Sequence, residues 1–329
     1  MVYGRHGRNH FYNDNEHETL KALVAGGGGF HGALHVGYFV QLILECSETF
    51  DWLFGTSTGA LCVACIAYGK DLKDGTRRLV DMWLGLKSTK DIFGDPDPLG
   101  IGLPFAAVFK LIFNRWDGVT DSGPLLKLLR VIIKGNPCVN VTVPVTSMET
   151  KERLYVTALT DGFFEVYSNR NNLTKRYPPA WIDEFRKMVL ASTCVPIQSD
   201  AVKNEFVDGG LAANVPIKAA LQMGATDLTV LLCGPYKEFD KWDGSRAADG
   251  TIKRAIDIMV FYQVIDALEA LEHREDVEAR VFASPPGTNL GSVNEFNADD
   301  VRRLIEVGRI TPPCFVTGMP MPDSIRKEL

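Results

Sequence analysis

The sequence contains no continuous apolar run of eighteen residues, so no stretch of it reads as a membrane-spanning helix. It lacks a secretory h-region too: Met1-Val-Tyr-Gly-Arg-His-Gly-Arg-Asn-His10 is polar where one would lie, and a cytoplasmic protein that meets membranes only peripherally is expected. Basic excess is missing. With 35 Lys and Arg against 41 Asp and Glu, the formal net charge of -6 excludes the basic stripe that nucleic acid requires and gives no general attraction to anionic membranes. The seven cysteines, at 46, 62, 65, 138, 194, 233 and 314, are odd in number and dispersed, which suits buried reduced thiols better than a disulfide framework. Cys62 and Cys65 form a C-x-x-C, but no second pair stands at zinc spacing and both lie in a helical pattern, so core packing is the better reading. No metal or cofactor is expected. Internal repeats, low-complexity tracts and linkers are absent as well. What remains is an ordinary globular composition, 46% hydrophobic and 23% charged over 329 residues. It reads as a polar arm over residues 1–18 and a single α/β domain over 19–329.

Trp52-Leu-Phe-Gly-Thr-Ser-Thr-Gly-Ala60 is an apolar strand that turns through Gly55-Thr56-Ser57-Thr58-Gly59 into a helical pattern ending at Ala67. A Gly-x-Ser-x-Gly pentad between strand and helix holds the serine on a tight elbow, its hydroxyl projecting above the helix N-terminus. Ser57 is therefore the candidate nucleophile, with Gly55 and Gly59 keeping the elbow free of crowding. Upstream, the short strand Lys21–Ala25 runs into Gly26-Gly27-Gly28-Gly29-Phe30-His31-Gly32 and a helical pattern over Ala33–Leu44. Strand, glycine turn and helix together make an anion site. A Walker A loop is excluded, because Ala33-Leu34 stand where lysine and a hydroxyl residue are required. A dinucleotide fingerprint fits Gly27-x-Gly29-x-x-Gly32, yet Asp51 precedes the second strand, where the ribose-binding acid should end it. The third reading makes Gly27, Gly28 and Gly29 one half of an oxyanion hole, completed by the N–H of Thr58, each donor lowering an acyl-transfer barrier by about 3–4 kcal/mol. Two adjacent parallel strands, one ending in the donor loop and the other in the nucleophile, explain both motifs at once.

Farther along, amphipathic helical patterns cover Thr76–Leu84 and Pro124–Ile133. The breaker-rich Asp95–Pro104 leads into the apolar Phe105–Phe113, read as a core helix or, alternatively, as a lid that meets lipid with Lys110 and Arg115 at its edge. Strands are expected over Val139–Thr146, Arg153–Thr157 and Asp227–Cys233. Helices are expected over Asp183–Ala191, Ile252–His273 and Asn297–Gly308, the last capped by Asn297 and stopped by Gly308. Asp208 ends a strand at Phe206-Val207 and precedes the turn Gly209-Gly210, with Pro216 opening a further helix.

A serine nucleophile requires a base. His273, the one histidine after Ser57, lies in a charged helix end; His6, His10 and His17 lie in the arm, and His31 and His35 near the glycine loop. The strand-tip carboxylate Asp208 is left, which points to a Ser–Asp dyad. At this point the chain resembles the patatin-like phospholipases. Gly27-Gly-Gly-Phe30-His31-Gly32 matches the family's Gly-Gly-Gly-x-[Arg/Lys]-Gly loop, Gly55-Thr-Ser57-Thr-Gly59 its nucleophile pentad, and Asp208-Gly209-Gly210 its Asp-Gly-[Gly/Ala]. Asp121-Ser-Gly-Pro-Leu-Leu126, Ala191-Ser-Thr-Cys-Val-Pro196 and Asn214-Val-Pro216 add to the likeness. The resemblance implies a three-layer α/β/α fold with a mainly parallel central sheet, a Ser57–Asp208 dyad, and metal-independent hydrolysis of phospholipid acyl esters of phospholipase A type. Acyltransferase, lysophospholipase and non-catalytic lipid-binding roles are the alternatives on the same scaffold. A phospholipid or membrane surface is the expected partner, and a protein or small-molecule activator stays open. His31 departs from the family's Arg or Lys, replacing a fixed positive charge with a group mostly neutral at pH 7.

Overall fold

The structure, a computed structural model, describes residues 19–88, 91, 122–168, 173–194, 202, 205–235, 248–272, 274–291 and 297–317. The polar arm, the breaker-rich and apolar stretches over 95–113, Asp121 and His273 lie outside the described residues.

At the centre is β1, Leu20–Ala25, whose residues Ala22 to Ala25 are fully buried. A strand apolar on both faces belongs between two helical layers, and β1 has parallel neighbours on either side. One is β2, Trp52–Gly55; the other is β8, Ala225–Pro235. The register sets Ala25 opposite Gly55, so the glycine loop and the Ser57 elbow leave the sheet side by side at one level. Beyond β2 lies β3, Asn140–Ser147, again parallel, and beyond β8 lies β9, Glu278–Ser284. This parallel centre is extended by antiparallel strands. On the β3 side follow β4 (Arg153–Ala158), β5 (Phe164–Ser168) and β6 (Leu173–Tyr177); on the other flank β10 (Phe315–Val316) pairs with β9. The three-residue strand β7, Phe206–Asp208, pairs antiparallel with the end of β3, with Asp208 opposite Val145.

Helices cover both faces, as the α/β/α expectation required. On one face α2, Thr58–Ala67, is buried along all ten of its residues, the signature of a helix enclosed on every side. Around it lie α1 (Ala33–Phe39), α3 (Leu72–Gly85), α4 (Gly123–Ile132), α5 (Ile182–Ser192) and α9 (Ala298–Ile310), all contributing to one large apolar cluster. The opposite face carries α7, Ile217–Gln222, and α8, Ala248–Glu272, over a second cluster built on Ala22, Val24, Phe54, Val230 and Val281. The one-turn helix α6, Gly210–Ala213, follows β7 directly.

Two expectations are corrected. Residues 33–44 are not one α-helix: α1 ends at Phe39 and the chain continues as a π-turn over Val40–Glu45. Nor does Gly308 stop its helix, since α9 runs through it to Ile310. A β-carbon on Gly308 would lie 2.2 Å from the Leu34 carbonyl oxygen, and one on Gly37 2.1 Å from that of Ile305. The two glycines let α1 and α9 touch backbone to backbone, so Gly308 is a packing residue. Asn297 does cap α9, its Oδ1 accepting from the N–H groups of Asp299 and Asp300. Of the cysteines, 62, 65, 194 and 233 are buried as expected, whereas Cys46 and Cys138 are exposed.

Candidate active site

Ser57 sits between β2 and α2 with φ 54 and ψ -125, a left-handed conformation that a residue with a β-carbon holds only when its surroundings force it. Three contacts supply that force. The Thr56 N–H donates to the Ala25 carbonyl at 3.0 Å, tying the elbow to the end of β1. The Thr56 hydroxyl donates to the Ala213 carbonyl at 2.8 Å. The Ser57 N–H donates to Ser192 Oγ at 3.2 Å. Gly59 completes the turn, for a β-carbon there would lie 2.4 Å from the Ala25 carbonyl oxygen. Ser57 is left 8% exposed, with its hydroxyl free to face another strand end.

That strand end is β7. Asp208 is buried, and its N–H is held by the Cys194 carbonyl at 3.0 Å, which links β7 to the end of α5. The Thr146 hydroxyl donates to its main-chain carbonyl at 3.0 Å. On the side chain, Oδ1 accepts the Gly210 N–H at 2.6 Å, and the Ser57 hydroxyl lies near enough to the carboxylate to favour its charged form. The structure thus brings together the two residues singled out from the sequence. Burial pushes the Asp208 carboxyl up to about 7, partly opposed by the Gly210 N–H and by the nearby Ser57 hydroxyl. A carboxylate with a proton affinity near neutrality is matched to the work of a general base.

Of the glycine loop, Gly27 is committed elsewhere: its N–H donates to the Asn214 carbonyl at 3.0 Å, and that of Gly26 to the Leu231 carbonyl at 2.9 Å. These bonds anchor the loop to β8 on one side and to the turn that follows Asp208 on the other. The N–H groups of Gly28, Gly29 and Thr58 donate to no partner among the described residues. Phe30 and Gly32 are buried in the single 3-10 turn Gly29–Gly32 that leads into α1. Gly209 and Gly210 make the turn behind Asp208. His31 Nε2 lies 3.3 Å from the Gly291 carbonyl, so in that contact the ring nitrogen carries the proton and donates. His35 is fully buried with Nε2 3.2 Å from Cys233 Sγ, and burial, only partly offset by a backbone bond at Leu231, pulls it down to about 3. A neutral imidazole packed against a thiol under the loop is a core group.

Ser192 belongs to the Ala191–Pro196 stretch noted in the sequence, but no role is read for it there and the helix is ended at Ala191. It closes α5, is fully buried, and its hydroxyl takes the Ser57 N–H. On the sheet face that carries Asp208 there is also a cavity of ≈ 470 Å³, lined in part by Leu154, Val156, Val166, Tyr177, Met188 and Phe206. Phe206 stands two residues before Asp208 on the same face of β7, and Met188 one helical turn before Ser192. The charged residues along it, Glu152, Lys175 and Glu205, are at least partly exposed.

Among the described residues no group of three or more His, Cys, Asp or Glu could hold a metal ion, and no helix is long and apolar enough to cross a membrane. A family model described as "Patatin-like phospholipase" matches residues 23–221, more than half of the chain. No curated protein matches the sequence. Among solved structures the chain is similar to VipD from Legionella pneumophila, with 14% identity, a TM-score of 0.37, and coverage of 89% of this chain and 66% of that one. It is also similar to the type III effector protein ExoU, with 14% identity, a TM-score of 0.32, and coverage of 89% of this chain and 52% of that one. The chain therefore spans less than two thirds of the length of either.

Proposed function

Because this chain belongs to the patatin-like phospholipase family, we propose that it hydrolyses fatty-acyl esters of phospholipids through a Ser57–Asp208 dyad, without a metal ion. The observation that carries this reading is the strained Ser57 elbow set beside the buried carboxylate of Asp208, whose proton affinity lies near pH 7. Ser57 Oγ attacks the ester carbonyl while its proton passes to Asp208. The negative charge that grows on the carbonyl oxygen is met by the N–H groups of Gly28, Gly29 and Thr58, at the start of α2. Gly27, already bonded to Asn214, anchors this hole rather than donating into it. Collapse of the tetrahedral intermediate breaks the ester C–O bond, and the departing alcohol oxygen takes the proton from Asp208. Water then repeats the sequence on the acyl-enzyme, with Asp208 accepting its proton and Ser57 leaving. The acyl chain lies in the cavity beside Phe206 and Met188, whose apolar floor suits it and whose volume falls within the roughly 300–1,000 Å³ of small-molecule sites.

Labelling with a fluorophosphonate, together with fatty-acid release from mixed phospholipid vesicles in the presence of a calcium chelator, tests this reading. Wild type should label and release fatty acid, Ser57→Ala should do neither, and Asp208→Asn should lose turnover while staying folded. Release that survives in either variant, or that needs calcium, overturns the assignment.

A further inference from the structure

The single turn after Asp208 is held by its carbonyls. Four consecutive main-chain oxygens, those of Leu211, Ala212, Ala213 and Asn214, accept hydrogen bonds from four different parts of the molecule. Gln263 Nε2 donates to Leu211 at 3.2 Å, Arg153 Nη1 to Ala212 at 2.8 Å, the Thr56 hydroxyl to Ala213 at 2.8 Å, and the Gly27 N–H to Asn214 at 3.0 Å. Two of these donors belong to the site itself: Thr56 precedes the nucleophile, and Gly27 opens the loop that carries the oxyanion donors. The turn thus joins base, nucleophile and oxyanion loop.

A four-residue helix cannot keep its own shape, because its last carbonyls have no partners inside it. Gln263 supplies the missing hold. Besides donating to Leu211, its Oε1 accepts the Asn214 N–H at 3.0 Å, so one side-chain amide grips both ends of the turn. Gln263 comes from α8, beyond the segment that the family model matches, and its neighbours on the helix, Val264, Ala267 and Leu268, pack into the second core cluster. The grip is therefore anchored in a packed helix.

We infer that Gln263 is a positioning residue of the active site, whose amide holds the Leu211–Asn214 turn in the geometry that sets the glycine loop and the Ser57 elbow around Asp208. The inference rests on the proposed dyad for its effect on rate, and on the four bonds alone for its effect on the turn. Removing the amide leaves the Arg153 and Thr56 bonds in place, so the chain still folds. The Asn214 carbonyl, however, loses the N–H anchor behind it, and Gly27 shifts with it. A displacement of about 1 Å in a catalytic group can cost a hundredfold in rate.

The test uses the full chain as wild type, Gln263→Leu, which removes both bonds, and Gln263→Glu, which keeps an acceptor and loses the donor. Steady-state kinetics on a phospholipid are normalised to the sites titrated by a fluorophosphonate, and amide hydrogen exchange is followed at Gly27, Asn214 and the sheet residues Val24 and Val230. Positioning predicts kcat per titrated site lower by about 10–100-fold with KM changed less than twofold, and faster exchange at Gly27 and Asn214 with no change at Val24 and Val230. A merely structural role lowers the number of titratable sites and leaves kcat per site intact; that result overturns the inference. Should Gln263→Leu fail to fold, the same readings on Gln263→Glu decide. If wild type neither labels nor turns over, the dyad reading fails, and exchange at Gly27 alone decides whether Gln263 holds the turn: unchanged exchange in both variants overturns it.

Discussion

In the proposed mechanism, Asp208 couples rate and stability through one proton. The carboxyl is buried, and burial raises it from 3.8 to about 7. Below about pH 4 it is protonated in folded and unfolded chain alike and costs nothing. As the pH rises through the window between about 4 and 7, the unfolded chain ionises first, and stability is lost by roughly 4 kcal/mol before levelling off above 7. Asp208→Asn removes that cost. Thermal unfolding at pH 4, 6 and 8 should show the variant more stable than wild type at pH 8, with the gap closing by pH 4; a gap that does not vary with pH contradicts the buried charge. If Asp208 is the base, as proposed, the same proton governs the rate, and kcat/KM of wild type should rise about tenfold per unit below pH 7 and flatten above it. The proposed dyad of Ser57 and Asp208 could be read from the sequence because acyl transfer needs those residue types at strand ends. The parts played by Ser192 and Gln263 could not, since both act on main-chain atoms: an amide or hydroxyl finds a carbonyl or N–H whatever the neighbouring side chain, and its spacing does not show which one.

Among the elements, the strands β1, β3, β4 and β8 and the helix α5 were read within a residue or two, whereas α3 and α8 begin well before the Thr76 and Ile252 read from the sequence, and the other misses have separate causes. Gly308 has the composition of a helix stop but sits where another helix's backbone presses against it, a contact made by Leu34 and Gly37 far away in sequence. Strands β5 and β6 carry Glu165, Lys175 and Arg176 among short apolar runs, and they are held by pairing outward from β4, β5 on β4 and β6 on β5, not by their own composition. These antiparallel strands line the cavity that Phe206 and Met188 also border. Val166, on β5, is partly buried and faces it, so Val166→Trp fills the space without breaking a tight core contact. Esters with sixteen-carbon acyl chains should lose about tenfold or more in kcat/KM, while four-carbon esters keep theirs. Equal losses on both would place the acyl chain elsewhere.

In the whole molecule, the segment matched by the family model ends at residue 221, before β8 begins at Ala225. Yet β8 is the parallel neighbour of β1 along its whole length, and the Leu231 carbonyl takes the Gly26 N–H at the root of the oxyanion loop. A fragment over residues 23–221 would expose the unpaired edge of an apolar central strand, a template for self-association. Expressed alone it should aggregate and show no cooperative thermal transition, in contrast to the full chain; a soluble fragment that melts cooperatively would show that β1 does not depend on β8. The pairing of β1 with β8 also sets an order in time. During synthesis the chain emerges from its N-terminus, and roughly two hundred residues separate the first strand from the partner that completes its ladder. Until β8 has left the ribosome the glycine loop has no floor, and until α8 follows, the turn behind Asp208 lacks the grip of Gln263. On the proposed mechanism, the parts that would cleave lipid are made early but assembled late, so the nascent chain carries Ser57 without a working site around it until α8 has been made.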